Sequence, residues 1–334
     1  MRRRVLQIAQ YLVFLSIGIF LVWWSLHRIP ESKLGEFKNS LLTANYWLFI
    51  PVFFILSASH WVRSIRWRIL MKPMGYKPSI VNTFFAVMIG YFANLAVPRL
   101  GEVLKCTILA KYEKVPAEKL VGTIVAERAV DVLSLAIVFL LALVTQYHVI
   151  GAYAQELFQS FLTKKAASFS WQKGLFILTG LIFIVVIVIY LLRRLAHISL
   201  VKTIKSILKG IWEGVSSIKT LENKSAFLFH TVLIWVLYIT GTLIGLYATS
   251  GTAHLGLPEA ISGLALASLG MILTPGGIGA YAYFLAIALE KNQVPFEIGY
   301  ANGTLQWFAQ FIIVLVIGFI SIGLLPILNK QKNN

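Results

Sequence analysis

The chain is poor in charge and in cysteine, and each shortage excludes a class of protein. Only 13% of its 334 residues are charged and 58% are hydrophobic, with a mean hydropathy of +0.79. This composition is typical of an integral membrane protein and not of a soluble domain. The single cysteine, Cys106, excludes internal disulfides. The sequence shows no metal-ligand spacing and no nucleophile–base–acid arrangement, so we predict no catalytic residues, no metal and no cofactor.

Acidic residues are also scarce, with 13 Asp and Glu against 30 Lys and Arg, which gives a net charge of +17. Such an excess can indicate a nucleic-acid partner, but here the basic residues alternate between loops. With a cytoplasmic N-terminus, 20 of the 30 fall in cytoplasmic loops, 7 in external loops and 3 within the membrane. This bias follows the positive-inside rule. It predicts a multi-pass protein of the inner (plasma) membrane with both termini cytoplasmic and no nucleic-acid partner.

Apolar stretches give the number of membrane crossings, because about 20 residues span a hydrocarbon core of roughly 30 Å. Six stretches are long enough: 5–26, 44–62, 120–144, 174–192, 226–249 and 296–325. Two further apolar stretches, 80–97 and 259–274, are shorter and end in Pro/Gly breaks. For the charge count to hold, the segments 80–112 and 259–290 must each enter and leave on the same side. We therefore predict an all-α polytopic membrane protein, a single domain over 1–334, with about six full transmembrane helices and two re-entrant helical hairpins. The predicted hairpin breaks are Pro98, Gly101, Pro275, Gly276, Gly277 and Gly279.

The two hairpin stretches resemble each other. Matched residues stand 177 to 179 positions apart: Pro98 with Pro275, Gly101 with Gly279, and Pro116 with Pro295. Because the two stretches enter from opposite sides, this predicts an inverted repeat of a hairpin and a long helix, over 80–145 and 258–325, as in many secondary transporters. The alternative is chance recurrence of Pro/Gly breaks.

The stretch 199–220 differs from the rest of the chain. Its apolar residues recur at helical spacing with lysines off that face. This predicts an amphipathic helix lying on the membrane surface. The alternative is a connector packed on the helix bundle.

Six charges lie at predicted membrane depth, where each costs about 2.5–3.5 kcal/mol on insertion scales. The cations are Arg99, Lys105 and Arg128, and the anions are Glu102, Glu127 and Asp131. Asn94 is a further polar candidate for head-group binding at this depth. Two interpretations stay open. The six charges form a structural ion network, or some of them bind a lipid head group, with Arg99 and Arg128 gripping its phosphate through their forked guanidinium groups. Arg63, Arg66 and Arg68, which follow a tryptophan near a span end, are interpreted as interfacial anchors.

At these residues the chain resembles the flippase-like family, the membrane domain of the lysylphosphatidylglycerol synthases, which also occurs as a stand-alone protein. The resemblance rests on Arg66-Trp67-Arg68, on Asn94 with Pro98-Arg99-Leu100-Gly101-Glu102, on Glu127-Arg128 with Asp131, and on Pro275-Gly276-Gly277-Ile278-Gly279. Two positions depart from the family pattern. Lys105 stands where arginine is usual, and Ala282 stands near the place of an expected acidic residue.

The resemblance implies a flippase that moves a polar-headed phospholipid or glycolipid between leaflets, without the synthase domain. Its expected partners are anionic or zwitterionic membrane lipids. Two other functions stay open: an intramembrane lipid-modifying transferase, and a non-transporting partner of a lipid-synthesising enzyme. The oligomeric state, including a homo-oligomer, is also open.

Overall fold

The structure is a computed structural model and describes residues 2–97, 100–147 and 221–330, in which all regular secondary structure is helical. The predicted span 174–192 and the predicted surface helix 199–220 lie outside the described residues. Pro98 and Arg99, at the first predicted break, also lie outside them.

Ten α-helices make up the described part of the chain. They are α1 (Arg2–Arg28), α2 (Leu34–Leu42), α3 (Phe49–Met71), α4 (Ile80–Ala96), α5 (Leu100–Glu113), α6 (Ala117–Thr145), α7 (Lys224–Leu246), α8 (Leu257–Leu273), α9 (Ala280–Glu290) and α10 (Phe296–Lys330). Among the described helices, α3, α6, α7 and α10 are long and apolar enough to cross a membrane. Their outer faces carry large apolar side chains such as Phe54, Leu140 and Phe229, each at least 60% exposed, as a lipid-facing surface would. The all-helical membrane fold is therefore confirmed, and the count of six full spans stays a prediction.

The first predicted hairpin consists of α4 and α5. The 17 residues of α4 reach about 25 Å at 1.5 Å per residue, less than the hydrocarbon thickness. The two helices touch at Gly90 and Gly101, where a Cβ on Gly101 would stand 1.9 Å from the Gly90 carbonyl oxygen. Gly101 therefore lies in the first turn of α5 as a close-packing residue. The Asn94 side chain accepts a hydrogen bond of 2.8 Å from the Gly101 N–H, which α5 leaves without a helical partner.

The second hairpin, α8 and α9, is broken by the predicted Pro-Gly-Gly-Ile-Gly segment. Gly276, Gly277 and Gly279 have φ values of 60°, 74° and 69°, which other residues rarely adopt. The Trp307 indole N–H donates to the Gly276 carbonyl at 2.8 Å and ties the break to α10. Leu95, at the tip of the first hairpin, packs directly against Gly276. The tips of the two hairpins therefore meet.

Side-chain contacts sort the helix ends into two groups. At one end, Asn82 at the start of α4 donates to Glu113 at the end of α5 and, at 2.9 Å, to Asn329 at the end of α10. At the other end, Arg28 donates to Glu290 at the end of α9 at 2.8 Å and lies 4.2 Å from the ring of Phe296, which begins α10. The two hairpins therefore open toward opposite ends of α10.

Candidate functional site

A buried group of charges joins α3 to α6. Arg63 and Arg66 stand three residues apart on α3, and Glu127 and Asp131 stand four apart on α6, so each pair shares one helix face. The two faces meet. Arg63 Nη1 lies 3.0 Å from Glu127 Oε1 and 2.6 Å from Asp131 Oδ2, and Arg66 Nη2 lies 2.7 Å from Asp131 Oδ1.

Lys105 of α5 completes this group. Its Nζ lies 2.7 Å from Glu127 Oε2 and 4.5 Å from the centre of the Trp67 ring. The side chains of Lys105 and Glu127 are 6% and 1% exposed. We call Arg63, Arg66, Lys105, Glu127 and Asp131 the ion core. Breaking a buried pair by removing one partner typically costs 3–5 kcal/mol, so the ion core fixes α5 and α6 against α3.

The interpretation of Arg63 and Arg66 as interfacial anchors is wrong. Their side chains are 7% and 0% exposed, because the carboxylates of α6 neutralise them inside the bundle. Arg68 lies off this face and is only partly buried. The helical spacing of two cations on α3, matched by two anions on α6, is the sequence signal that finds this pairing.

A cavity of about 590 Å³ lies beside the ion core, between the two hairpin tips and the long helices. Asn94 and Leu95 of the first tip and Gly276 of the second lie on its wall. Its charged lining residues are Arg63, Glu102, Arg128 and Asp131. Its apolar lining includes Val52, Leu56, Val132, Leu135, Leu264, Met271, Ile272, Phe311, Ile313 and Val314. The predicted site residues Asn94, Glu102, Arg128 and Asp131 therefore meet at one cavity.

Glu127 and Lys105 lie behind this wall, within the ion core. Arg66 is likewise behind it, while Arg63 and Asp131 belong to both the core and the wall. The predicted cluster therefore divides into a buried structural part and a part that faces the cavity. Arg99 lies outside the described residues, so its proposed phosphate contact stays a prediction.

Arg128 and Glu102 form a separate, more open ion pair on the cavity wall. Arg128 Nε lies 3.0 Å from Glu102 Oε1, and Arg128 Nη1 lies 3.9 Å from Asp131 Oδ2. The side chains of Arg128 and Glu102 are 42% and 36% exposed. Because both side chains are partly exposed to the cavity, we expect this pair to contribute less to stability than the buried ion core.

The opposite wall is polar but, in the described part of the chain, carries no formal charge. Its polar lining residues are Trp235, Tyr238, Thr242, Ser268, Tyr281, Gln306, Trp307 and Gln310. Gln306 is held by a 2.7 Å hydrogen bond from its Nε2 to Asn302 Oδ1. The indole N–H of Trp235 is buried without a hydrogen-bond acceptor among the described residues. Sequence reasoning did not single out Trp235 or Trp307, since isolated tryptophans in apolar helices give no spacing signal.

Within the described ranges, no group of three or more His, Cys, Asp or Glu side chains could hold a metal ion. The charged wall instead combines guanidinium donors with carboxylates beside an apolar lining. Such a surface suits an amphipathic ligand with an ionic head.

Comparison with known proteins agrees with the resemblance seen in the sequence. The family model described as lysylphosphatidylglycerol synthase TM region matches residues 7–318, so the chain belongs to this family. A UPF0104 membrane protein of Methanocaldococcus jannaschii is 23% identical over 286 residues, covering 78% of this chain and 79% of the relative. No solved structure gives a significant match.

Proposed function

We propose that this member of the lysylphosphatidylglycerol synthase TM region family is a lipid flippase, which binds a phosphate-bearing head group in its cavity and moves it between leaflets. The observation that carries the proposal is the cavity itself, with a charged wall at the meeting point of two hairpin tips. Its volume of about 590 Å³ lies within the range of known ligand sites, ≈ 300–1,000 Å³.

The cavity borders the lipid-facing surface, which supports a lipid as the ligand. Val132 of α6 and Met271 and Ile272 of α8 line the cavity and are also 49%, 40% and 69% exposed. Closer to the end where α8 begins, Val138 and Ile261 belong to one buried cluster and hold α6 against α8. A head group can thus enter between α6 and α8 while its acyl chains stay in the bilayer.

The charge of the site supports an anionic group as its ligand. Arg63, Arg66 and Lys105 face the carboxylates of Glu127 and Asp131, which leaves the ion core with one excess positive charge. The Arg128–Glu102 pair is neutral and adds nothing to this balance. Since an uncompensated charge in a low-dielectric site attracts a counter-ion strongly, a phosphodiester with one negative charge suits the cavity.

We also propose that α3–α6 and α7–α10 are inverted repeats. Lys114 and Gln293 are the positive-φ residues other than glycine among the described residues, and each stands two positions before a proline, 179 residues apart. The close contact of Gly90 with Gly101 recurs between Gly270 and Ala280, again about 180 residues on. Hairpins that open toward opposite ends are then re-entrant from opposite sides, a geometry used for alternating access.

The repeat accounts for the unequal walls of the cavity. Glu127 and Asp131 of α6 correspond, at an offset of 179, to Gln306 and Gln310 of α10. The first half therefore supplies carboxylates where the second supplies amides. Glu127 and Gln306 have nearly the same shape, and Gln310 is one methylene longer than Asp131. A head group held in this cavity lies closer to the first hairpin, beside Arg128.

The orientation of the protein follows from its lysines. The end at which the first hairpin opens carries Lys72, Lys77, Lys111, Lys114, Lys119, Lys224 and Lys330. By the positive-inside rule this end is cytoplasmic. We propose this orientation, with both termini cytoplasmic, together with a location in the inner (plasma) membrane.

Leaflet exchange in proteoliposomes tests the proposed function. Purified protein is reconstituted with a trace of fluorescent phosphatidylglycerol, and the outer-leaflet probe is quenched chemically. Wild-type protein should expose the inner-leaflet probe to quenching, and Arg128→Gln should abolish this. Lys119→Gln, which removes the same charge from the exposed first turn of α6, is the matched control.

Exchange no faster than in protein-free liposomes would refute the proposal. A chemically altered lipid recovered from the same vesicles would instead favour the transferase alternative. If exchange persists in Arg128→Gln, the flippase function is supported and the head-group contact assigned to Arg128 is refuted.

A further inference from the structure

The Arg128–Glu102 pair differs from the ion core in how readily another anion can reach it. Its two side chains are 42% and 36% exposed, whereas those of Lys105 and Glu127 are 6% and 1% exposed. Arg128 and Glu102 both line the cavity, whereas Lys105 and Glu127 do not. A ligand anion that enters the cavity therefore meets a guanidinium whose partner it can replace.

The geometry of the pair favours a phosphate over the carboxylate now present. Glu102 contacts the guanidinium at Nε, 3.0 Å away, and the other acid near the group, Asp131, lies 3.9 Å from Nη1. Neither carboxylate grips the guanidinium fork through two parallel bonds. Two parallel bonds to one anion are the strongest arrangement that arginine forms, and a phosphate oxygen pair can supply it.

We propose that Glu102 is an internal competitor, which occupies the anion site on Arg128 until the phosphate of the lipid head group displaces it. This inference rests on the proposed function, because it assumes that a phosphate enters this cavity. In this role Glu102 opposes binding of the lipid instead of contributing to it. Removing the carboxylate should strengthen binding of the lipid.

Displacement also changes a contact between two helices. Glu102 lies on α5, the second arm of the first hairpin, and Arg128 lies on α6. When phosphate takes Arg128, this link between the arm and α6 is lost, while the deeper link from Lys105 to Glu127 stays. Head-group binding thereby loosens the first turn of α5 at the cavity and leaves the next turn fixed through Lys105.

A different role for Glu102 predicts the opposite result. If Glu102 receives the ammonium of a zwitterionic head group, its neutralisation weakens binding of phosphatidylethanolamine. If Glu102 only competes for Arg128, its neutralisation strengthens binding of every phosphate head group. The two roles are therefore separated by the sign of one change.

The experiment measures binding of short-chain phosphatidylglycerol and phosphatidylethanolamine to the full-length protein in a neutral detergent. Wild type is compared with Glu102→Gln, Glu102→Asp and Arg128→Gln. Glu118→Gln is the control, since it removes one negative charge from an exposed position of α6. Thermal unfolding of each variant confirms that it is folded.

Glu102→Gln should increase the affinity for both lipids by about fivefold at most. This factor corresponds to about 1 kcal/mol, the upper end of what a partly exposed ion pair contributes. Glu102→Asp, with a shorter reach, should give a smaller gain, and Arg128→Gln should abolish binding. Unchanged or weaker binding of phosphatidylglycerol by folded Glu102→Gln would overturn the inference, as would weaker binding of phosphatidylethanolamine alone. A tightening that Glu118→Gln reproduces would also overturn it.

The proposed function fails separately from this inference. Tighter binding by Glu102→Gln, together with no leaflet exchange by the wild type, supports the competitor role and refutes the flippase. Leaflet exchange by the wild type with unchanged binding in Glu102→Gln keeps the flippase and refutes the competitor.

Discussion

Neutralising Glu127 should destabilise the protein more than any other single change in the charged cluster. Its carboxylate lies 3.0 Å from Arg63, 2.7 Å from Lys105 and 3.5 Å from Arg66, and its side chain is 1% exposed. Glu127→Gln keeps the volume and removes the charge, which leaves Lys105 buried without an ionic partner. We expect a loss of about 3–5 kcal/mol in the free energy of unfolding, the usual result of breaking a buried pair.

The assay is equilibrium unfolding in mixed micelles, with two comparisons. Glu102→Gln breaks the exposed pair with Arg128 and should lose about 1 kcal/mol or less. The double variant Glu127→Gln with Lys105→Met should recover part of the loss, because it removes the unpaired cation together with its partner. If Glu127→Gln is as stable as Glu102→Gln, or if the double variant adds both losses in full, the ion core does not have the role described.

Two further changes test the hairpin tips. Gly101→Ala should prevent the normal packing of α4 on α5, because its Cβ would stand 1.9 Å from the Gly90 carbonyl oxygen. Its folded yield should fall sharply compared with that of the control Gly122→Ala, whose Cβ meets nothing within 4 Å. Equal yields would contradict this packing. Trp307→Phe removes the 2.8 Å hydrogen bond to Gly276 and should lower stability by about 0.5–1.5 kcal/mol. A stability equal to that of the wild type in thermal unfolding would show that this bond does not fix the second tip.

The hairpins could be predicted because their signals are local. A stretch such as 80–97 is too short to span, and the glycines after Pro275 permit positive φ. The charge count then predicts the side from which each hairpin enters, which stays a prediction. The meeting of Leu95 with Gly276 could not be predicted, because contacts between distant segments leave no spacing in the sequence.

The end of α3 shows why hydropathy missed part of the site. The predicted span stops at residue 62, but α3 continues to Met71. Hydropathy treats Arg63 and Arg66 as solvated charges, whereas the carboxylates of α6 pair with them inside the bundle. The residue type alone does not reveal whether a charge is paired inside the bundle or solvated, because this depends on a partner from a distant helix.

The cluster on α5 shows the same limit on a smaller scale. Glu102 and Lys105 stand three residues apart, and the sequence places them on one stripe. In the fold Lys105 reaches back to Glu127 in the ion core, while Glu102 faces the cavity and Arg128. The division into a buried part and a cavity-facing part depends on where α6 lies, which spacing alone does not reveal.

Leaflet exchange by a variant whose cavity is blocked without a change of charge tests whether the lipid head group passes through this cavity. Ser268 of α8 lines the cavity, and Ser268→Phe would fill part of its volume. Leu257→Phe, at an exposed position of the same helix, is the control. We expect Ser268→Phe to fold and not to exchange fluorescent phosphatidylglycerol, while Leu257→Phe exchanges it like the wild type. Exchange at the wild-type rate by folded Ser268→Phe would show that the head group does not pass through this cavity.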